Sequence, residues 1–432
     1  MMSCHSNRLR STSNASRPAC LNPMRVLCWV GVATLGCALP TEAFELTDGL
    51  TVSGYASIGA SRINRDDVQF FDSQGDWSFK TDTIFGAQLQ YQLNSQWSMT
   101  TQIASRGFNL DDSDDFDPVV PWVFVSYQVS PELRLRAGRM RTPFYLYSES
   151  LEIGYSYPWV RPPIDTYTPL LKPMANFNGA DLTLNLDVHE VDVDVQVFAG
   201  VFKGEYYSFD LRFKPVWGAN IITYLGGLKL RYGATLAITD ASSSDLDPIV
   251  AAYRQFSVLD PVFDELADSH STHGKLFQYH GFGFQYEWHN FSLVSEQFAI
   301  LGPDDDFAND AYGWYVSLTY SWERFLPYVV VGHHKNIFAD DIDNLIALSK
   351  QVIPQGTLAQ LDALREVDQR VSDDFDDSGF SYVAGMRVDL TSNVAFKGEV
   401  HYFDSNSHLR EFSTSSPKKG ATAVSFVVDM VF

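Results

Sequence analysis

The chain has 432 residues, 45% of them hydrophobic, yet its mean hydropathy is only −0.12, which excludes a bundle of transmembrane helices. A formal net charge of −22 argues against nucleic acid as a partner. The one compact apolar run, Val26–Leu39, is shorter than the ~20 residues a spanning helix needs. It follows Arg25 and precedes Thr41-Glu42-Ala43, so it reads as a secretory signal cleaved after Ala43. The polar residues 1–23 are either a long n-region or an upstream extension of a start at Met24. Thr34-Leu35-Gly36-Cys37 is a poor lipobox, because Thr34 stands where Leu is expected. Cys4, Cys20, Cys28 and Cys37 all precede the expected cleavage site, which leaves residues 44–432 with no disulfide or thiolate metal site. That part of the chain holds 27 basic and 52 acidic residues.

From Leu50 onward, segments with side chains alternating between an apolar and a polar face recur to the end. Leu50–Arg62 sets Val52, Ala56 and Ile58 opposite Ser53, Tyr55 and Ser57. Thr81–Leu93 sets Phe85, Leu89 and Tyr91 opposite Gln88, Gln90 and Gln92, and Trp97–Gly107 follows after a short turn. Val120–Val129 turns through Ser130-Pro131-Glu132 into Leu133–Met140. Asn178–Asp187 turns into Val191–Phe202, where Val191, Val193, Val195, Val197 and Val201 oppose Asp192, Asp194 and Gln196. Trp217–Leu225, more weakly patterned, joins Leu228–Thr239 through Gly226-Gly227. The remaining pairs are Leu276–Trp288 with Phe291–Ile300, Tyr312–Trp322 with Phe325–Asn336, and Gly379–Leu390 with Val394–Asp404. The last segment is Gly420–Phe432, with Val424, Phe426, Val428, Met430 and Phe432 on one face and Ser425 and Asp429 on the other. Asp429 is expected to face water.

Sixteen such segments of about 10 residues, joined alternately by short turns and longer loops, match a transmembrane antiparallel β-barrel. Closure satisfies every backbone group where water is absent. Trp97, Trp122, Trp288, Trp314, Trp322 and Tyr402 near segment ends suit interfacial aromatic girdles. Asp247-Pro248 and Asp260-Pro261 predict short helices in the connection 240–275. Ile342–Ile353 and Thr357–Val371 predict helices in the connection 337–378. Six residues between Ala43 and Leu50 leave no room for a plug domain, so residues 44–432 are expected to form one barrel.

The connection Arg141–Phe177 carries six prolines and eight aromatics, so it is stiff and too apolar to stay in water. It is expected to fold against the inner wall and narrow a lumen that sixteen strands would otherwise leave open. The strand end Gly138-Arg139, followed by Pro143-Phe144, together with sixteen strands, a long third loop and the terminal Phe432, resembles the Gram-negative outer-membrane porin superfamily, including the phosphate-selective type. Phe432 on an amphipathic last strand resembles the assembly signal read by the barrel-assembly machinery. The resemblance spans residues 50–432 and rests on architecture more than on short motifs. It implies residence in the outer membrane among its lipid and lipopolysaccharide, a third loop folded in as constriction, and a homotrimer passing small hydrophilic solutes. The dense Arg and Lys ladders of the phosphate-selective members are not evident.

Alternation turns Arg134 and Arg136 toward the lumen, while Arg139 and Arg141 stand at the strand end and Arg106 ends its segment on the polar face. With Glu149, Glu152, Arg161 and Asp165 of the loop, they form the candidate constriction, an acidic loop against a basic wall. Tyr145, Tyr147, Tyr155, Tyr157 and Trp159 would anchor the loop, or else form a stacking track for sugars. Acidic runs at Asp111–Asp117, Asp304–Asp306, Asp340–Asp343 and Asp373–Asp377 lack EF-hand spacing and read as a solvated rim; the alternative is Ca²⁺ shared with lipopolysaccharide. No cofactor is otherwise expected. His280, His333, His334, His401 and Ser381 are scattered and no G-x-S-x-G occurs, so catalysis is not expected. The expectation is a passive channel, with an anion- or sugar-preferring porin, or a non-conducting adhesin or structural barrel, as alternatives.

Overall fold

The computed structural model describes residues 44–108, 115–167, 174–206, 209–244, 246–303, 308–338, 362–363, 378–405, 409–411 and 420–432. Sixteen long strands follow one another round a closed antiparallel barrel. They are β1 (Leu50–Ile63), β2 (Ile84–Gln92), β3 (Trp97–Arg106), β4 (Pro118–Gln128), β5 (Leu133–Arg141), β6 (Asn176–Val188), β7 (Val191–Tyr206) and β8 (Phe209–Leu225). Then come β9 (Leu228–Asp240), β10 (His273–Trp288), β11 (Phe291–Leu301), β12 (Ala308–Tyr320), β13 (Phe325–Phe338), β14 (Ser378–Asp389), β15 (Val394–Phe403) and β16 (Ala421–Val431). Each strand pairs with the next, and β16 closes the ring on β1 with Tyr55 opposite Val431 and Ile63 opposite Ala423.

The short turns show why the strands break where they do. Two-residue hairpins need a left-handed residue to match strand twist. His189 (φ 64°), Gly226 (φ 57°), His289 (φ 53°) and Glu323 (φ 54°) supply it after β6, β8, β10 and β12. Beyond the last strand residue, Phe432 and Gly54 exchange backbone hydrogen bonds of 2.8 and 2.9 Å. The Phe432 ring lies against Gly54, where a Cβ would collide with it.

The outer face is apolar and carries two aromatic rings. At the short-turn end Trp97 stacks near Tyr127 (4.6 Å), Trp288 near Phe291 (6.1 Å) and Phe291 near Tyr320 (4.8 Å). Toward the other end, Trp314, Phe380, Tyr382 and Tyr402 form a chain of rings 6.1–6.4 Å apart. From Tyr312 to Tyr320 the strand rises about 27 Å, or roughly 20 Å along the barrel axis at a tilt of ~40°, close to a membrane's apolar thickness for such barrels. Trp122 does not belong to these girdles. A bulge opposite Gln102–Ala104 resets the alternation, and Trp122 turns inward against Phe124 (5.8 Å).

Strands β7 and β8 run further than their alternation predicts, to Tyr206 and from Phe209. The extension is held by Phe202, Phe213 and Val216, all buried in one inner cluster. In the connection 240–275 the predicted helices are present as α1 (Leu246–Phe256) and α2 (Val262–His270). The Val262 amide donates to Asp260 Oδ1 at 3.0 Å, and Tyr253 and Phe263 pack between the helices. The helices expected at Ile342–Ile353 and Thr357–Val371 fall outside the described residues, save the helical pair Asp362–Ala363. Residues 1–43, where the sequence predicts a secretory signal, and most of the acidic runs lie outside them as well.

Candidate functional site: the third long connection and the inner wall

The connection begins at the end of β5, and its described residues, 142–167 and 174–175, include two single-turn 3-10 helices, Ser148–Ser150 and Gly154–Ser156. Their backbone would be left with unpaired groups in an apolar core, and the inner wall supplies the partners. Arg231 of β9 donates to the Pro143 carbonyl, and Tyr279 of β10 donates to the Phe144 carbonyl at 2.6 Å. Glu296 of β11 accepts from the Leu146 amide (2.7 Å), Tyr167 (2.5 Å) and Tyr315 of β12 (2.8 Å). The Trp159 indole donates to Ser317 Oγ of β12 at 2.9 Å, while its rings sit among Tyr147, Tyr157 and Tyr315. Arg387 of β14 donates to the Tyr155 and Tyr157 carbonyls at 2.7 and 3.1 Å. Lys397 of β15 donates to the Gly154 and Trp159 carbonyls at 2.6 and 2.7 Å.

The charged loop residues divide by their surroundings. Glu152 receives Arg106 from β3, Arg141 from the end of β5 and the Tyr55 hydroxyl of β1 at 3.1 Å. Burial alone would push its carboxyl up; the Arg141 and Arg106 guanidiniums outweigh that and hold it at about 2. Arg161 donates to both Asp82 oxygens (2.9 and 2.5 Å), to Glu399 of β15 (3.3 Å) and to Ser425 of β16 (2.8 Å), and lies over Phe70 at 4.9 Å. Asp165, with no solvent exposure, accepts from Ser381 of β14 at 2.5 Å and faces His334 of β13. Glu149 alone among these loop acids stays in water, with 66% of its side chain exposed, and accepts from Arg136 at 3.3 Å.

Arg136 is itself committed to the wall, since its Nε and Nη2 donate to Asp181 of β6 at 3.0 and 2.6 Å, and Gln196 of β7 donates to the same carboxylate at 2.7 Å. Arg134 is half-exposed on the same face, with no ion pair among the described residues. The expected acidic-loop, basic-wall contrast is therefore replaced by an interleaved set: wall acids Asp181 and Asp194 stand among Arg134, Arg136 and Lys229. Arg139 does not join the others. It pairs in register with exposed Val123 of β4 and Asn178 of β6, two steps from exposed Ala137. Of the loop aromatics, Tyr145, Tyr157 and Trp159 are buried, and Tyr155 donates to the Ser392 carbonyl at 2.8 Å. Asp429 departs from its expected place in water. It is 1% exposed, ion-paired with Lys397 at 2.8 Å and bonded by Ser57 at 2.5 Å, because the Gly154 turn covers it.

Pattern reading missed Lys397, Glu399, Arg387, Glu296, Asp82 and Arg231. Their signal was available: each of the strand residues is a charge in mid-strand on a polar face, which needs a partner if no water reaches it.

The sequence model of the outer membrane protein beta-barrel domain matches residues 226–429. Among solved structures, OmpF of Salmonella typhi superposes with a TM-score of 0.52 at 12% identity, over 89% of this chain and 98% of that one. The anion-selective porin from Comamonas acidovorans gives 0.52 at 10% identity, over 89% and 99%. The channel DcaP of Acinetobacter baumannii gives 0.51 at 10%, over 90% and 99%. The chain has the sixteen-stranded β-barrel fold of the porins. No match was found among curated proteins. At these identities the likeness to solved structures is one of fold, so what the barrel does has to be argued from its own residues. No group of three or more His, Cys, Asp or Glu suited to a metal occurs among the described residues.

Proposed function

We propose that this barrel is a narrow diffusion channel for small hydrophilic solutes in a Gram-negative outer membrane, with residues 142–167 lying across its lumen as the constriction. One observation carries the reading. The inward side chains of β11–β16, such as Glu296, Ser317, Ser381, Lys397, Glu399 and Ser425, are buried beneath the connection. Those on the lower halves of β4–β9, Ser126, Gln128, Arg134, Asp194, Gln196 and Lys229, keep partial exposure. The connection is thus fastened along β9–β16 and, through Glu152, to β1, β3 and the end of β5, and water has room beside the lower halves of β4–β9, past Glu149, Arg134 and Arg136. A passage lined by both signs of charge and by amides suits small polar solutes and ions without a dense ladder for one anion. The buried aromatics act as anchors; a sugar track would need them exposed.

The same reading includes a homotrimer, insertion by the barrel-assembly machinery and contact with outer-membrane lipid. The test is planar-bilayer conductance of purified, heat-modifiable protein, with the reversal potential measured in a KCl gradient. Discrete current steps are expected, smaller than an unobstructed sixteen-stranded lumen would pass. Folded protein with no current would overturn the channel reading in favour of a structural or adhesive barrel, which the dense fastening of the connection would then explain.

A further inference from the structure

On the half of the inner wall that keeps contact with water, opposite charges face the lumen without neutralising each other. Arg134 of β5 stands in register with Thr183 of β6, and Thr183 with Gln196 of β7. Asp194 lies two residues from Gln196 toward the short turns, opposite Asn185 of β6. Two strand spacings and one row of two residues put the Arg134 and Asp194 Cα atoms about 12 Å apart. Arg134 has no ion pair among the described residues, and its Nε is buried without a hydrogen-bond partner. Asp194 accepts from the Asn185 amide at 2.5 Å and likewise has no ion pair among the described residues. One row nearer the turns, exposed Asp187 and Asp192 stand directly opposite each other. Like charges so placed are unfavourable and keep that end of the wall negative.

The surrounding charges are already engaged. One row deeper, Arg136 and Asp181 neutralise each other, and Gln196 donates to the same carboxylate at 2.7 Å. On the far flank Asn220 of β8, 5% exposed and in register with Gln196, keeps its Oδ1 buried without a hydrogen-bond partner. Arg231 lies beside it over Gly233, but is drawn off to the Pro143 carbonyl. Lys229 sits over the Tyr224 ring at 5.6 Å. The wall thus offers a free guanidinium at one end and a carboxylate backed by further acid at the other. A solute of one sign satisfies one end and is repelled by the other. A small solute carrying both signs satisfies both, through charge-assisted hydrogen bonds.

We propose that this stretch of β5–β8 is a binding subsite for small zwitterions of the amino-acid type. The solute carboxylate lies on Arg134, and its ammonium points to Asp194 and Asp192. The inference rests on the channel reading for the way in, since the subsite lies on the open half of the lumen.

Saturation-transfer NMR at pH 7 on the detergent-solubilised barrel tests it with alanine and three molecules of similar size. Lactate lacks the ammonium, alaninamide lacks the carboxylate, and lactamide lacks both charges. Alanine is expected to show at least about threefold more transfer than any of them. Arg134→Gln and Asp194→Asn should each bring alanine down to the level of lactamide, while Arg134→Lys, which keeps the charge, should hold most of the transfer. Heat-modifiable migration confirms that each variant has folded. Equal transfer from alanine and lactamide, or more from lactate or alaninamide than from alanine, would overturn the proposal. Full alanine transfer in either neutralised variant would do the same. Swelling of proteoliposomes in isotonic alanine and lactamide is recorded on the same preparations. A barrel that binds alanine yet admits neither solute fails the channel reading and leaves the subsite standing. One that admits both equally, without selective transfer, keeps the channel and loses the subsite.

Discussion

The Tyr155 hydroxyl donates to the Ser392 carbonyl across 2.8 Å, which ties a connection starting at the long-loop end of β5 to the short turn between β14 and β15. The connection therefore runs the depth of the wall, with its backbone polar groups taken up by side chains from many strands. Such a segment gains its order from the wall, and each attachment can be tested by itself.

Glu152 is one of two loop attachments, with Arg161, that join three charges. Glu152→Gln would leave Arg106 and Arg141 sharing a neutral partner. Removing one member of a buried pair costs about 3–5 kcal/mol. The lower end is expected, because the Arg106 side chain keeps 21% exposure and can turn to water. The temperature at which the folded form unfolds on electrophoresis should fall, and single-channel current should become noisier as the Gly154 turn loosens. Wild-type noise at an unchanged unfolding temperature would show that the pair is not a fastening.

Acid should act on the same carboxyl late. A carboxyl held below its ordinary value of 4.5 contributes fully above that value, and the contribution is lost as pH falls through about 2. Loop-dependent noise should therefore stay constant from pH 7 to about pH 5 and rise only as pH approaches 2–3. A rise centred near 4.5 would mean that the guanidiniums do not hold Glu152.

The barrel was legible because its evidence is repetitive. Alternation in Val191–Phe202 or Phe325–Asn336 sets both strand and face, and turns such as His189-Glu190 and Glu323-Arg324 set the breaks. The site was legible only where one strand explains a residue, as with Arg134 and Arg136. Lys397 and Asp429 become partners through the pairing of β15 with β16, and both meet Gly154 through a connection more than two hundred residues away in sequence. Periodicity carries no information about that meeting. Arg139 misled for the opposite reason: proximity to Arg141 in sequence grouped it with the lumen, whereas its pairing with Val123 and Asn178 sets it with the outer face.

Ion selectivity should depend on charges beside the open half of the wall and not on those beneath the connection. Arg134→Ala with Arg136→Ala should shift the reversal potential toward cations, since Asp181, Asp194 and Glu149 then dominate the passage. Glu149→Gln should shift it the other way. Because Arg136 also compensates Asp181, Arg134→Ala alone is the cleaner variant and should give a smaller shift of the same sign. No shift in any of the three would place the ion path elsewhere.

The buried pair Lys397–Asp429 separates wall stability from loop attachment. Lys397→Met strands the Asp429 carboxylate at 1% exposure and should cost about 3–5 kcal/mol. Lys397→Met with Asp429→Leu replaces both charges by apolar groups, and such replacements are often close to neutral. The unfolding temperature should therefore largely recover in the double variant, a coupling that a double-mutant cycle reads directly. The Gly154 and Trp159 carbonyls would still lack the ammonium that bonds them at 2.6 and 2.7 Å, so the current noise of the single variant should persist. Recovery of both together would mean that Lys397 holds the connection only by keeping the wall intact. Recovery of stability with persistent noise identifies Lys397 as a fastening in its own right.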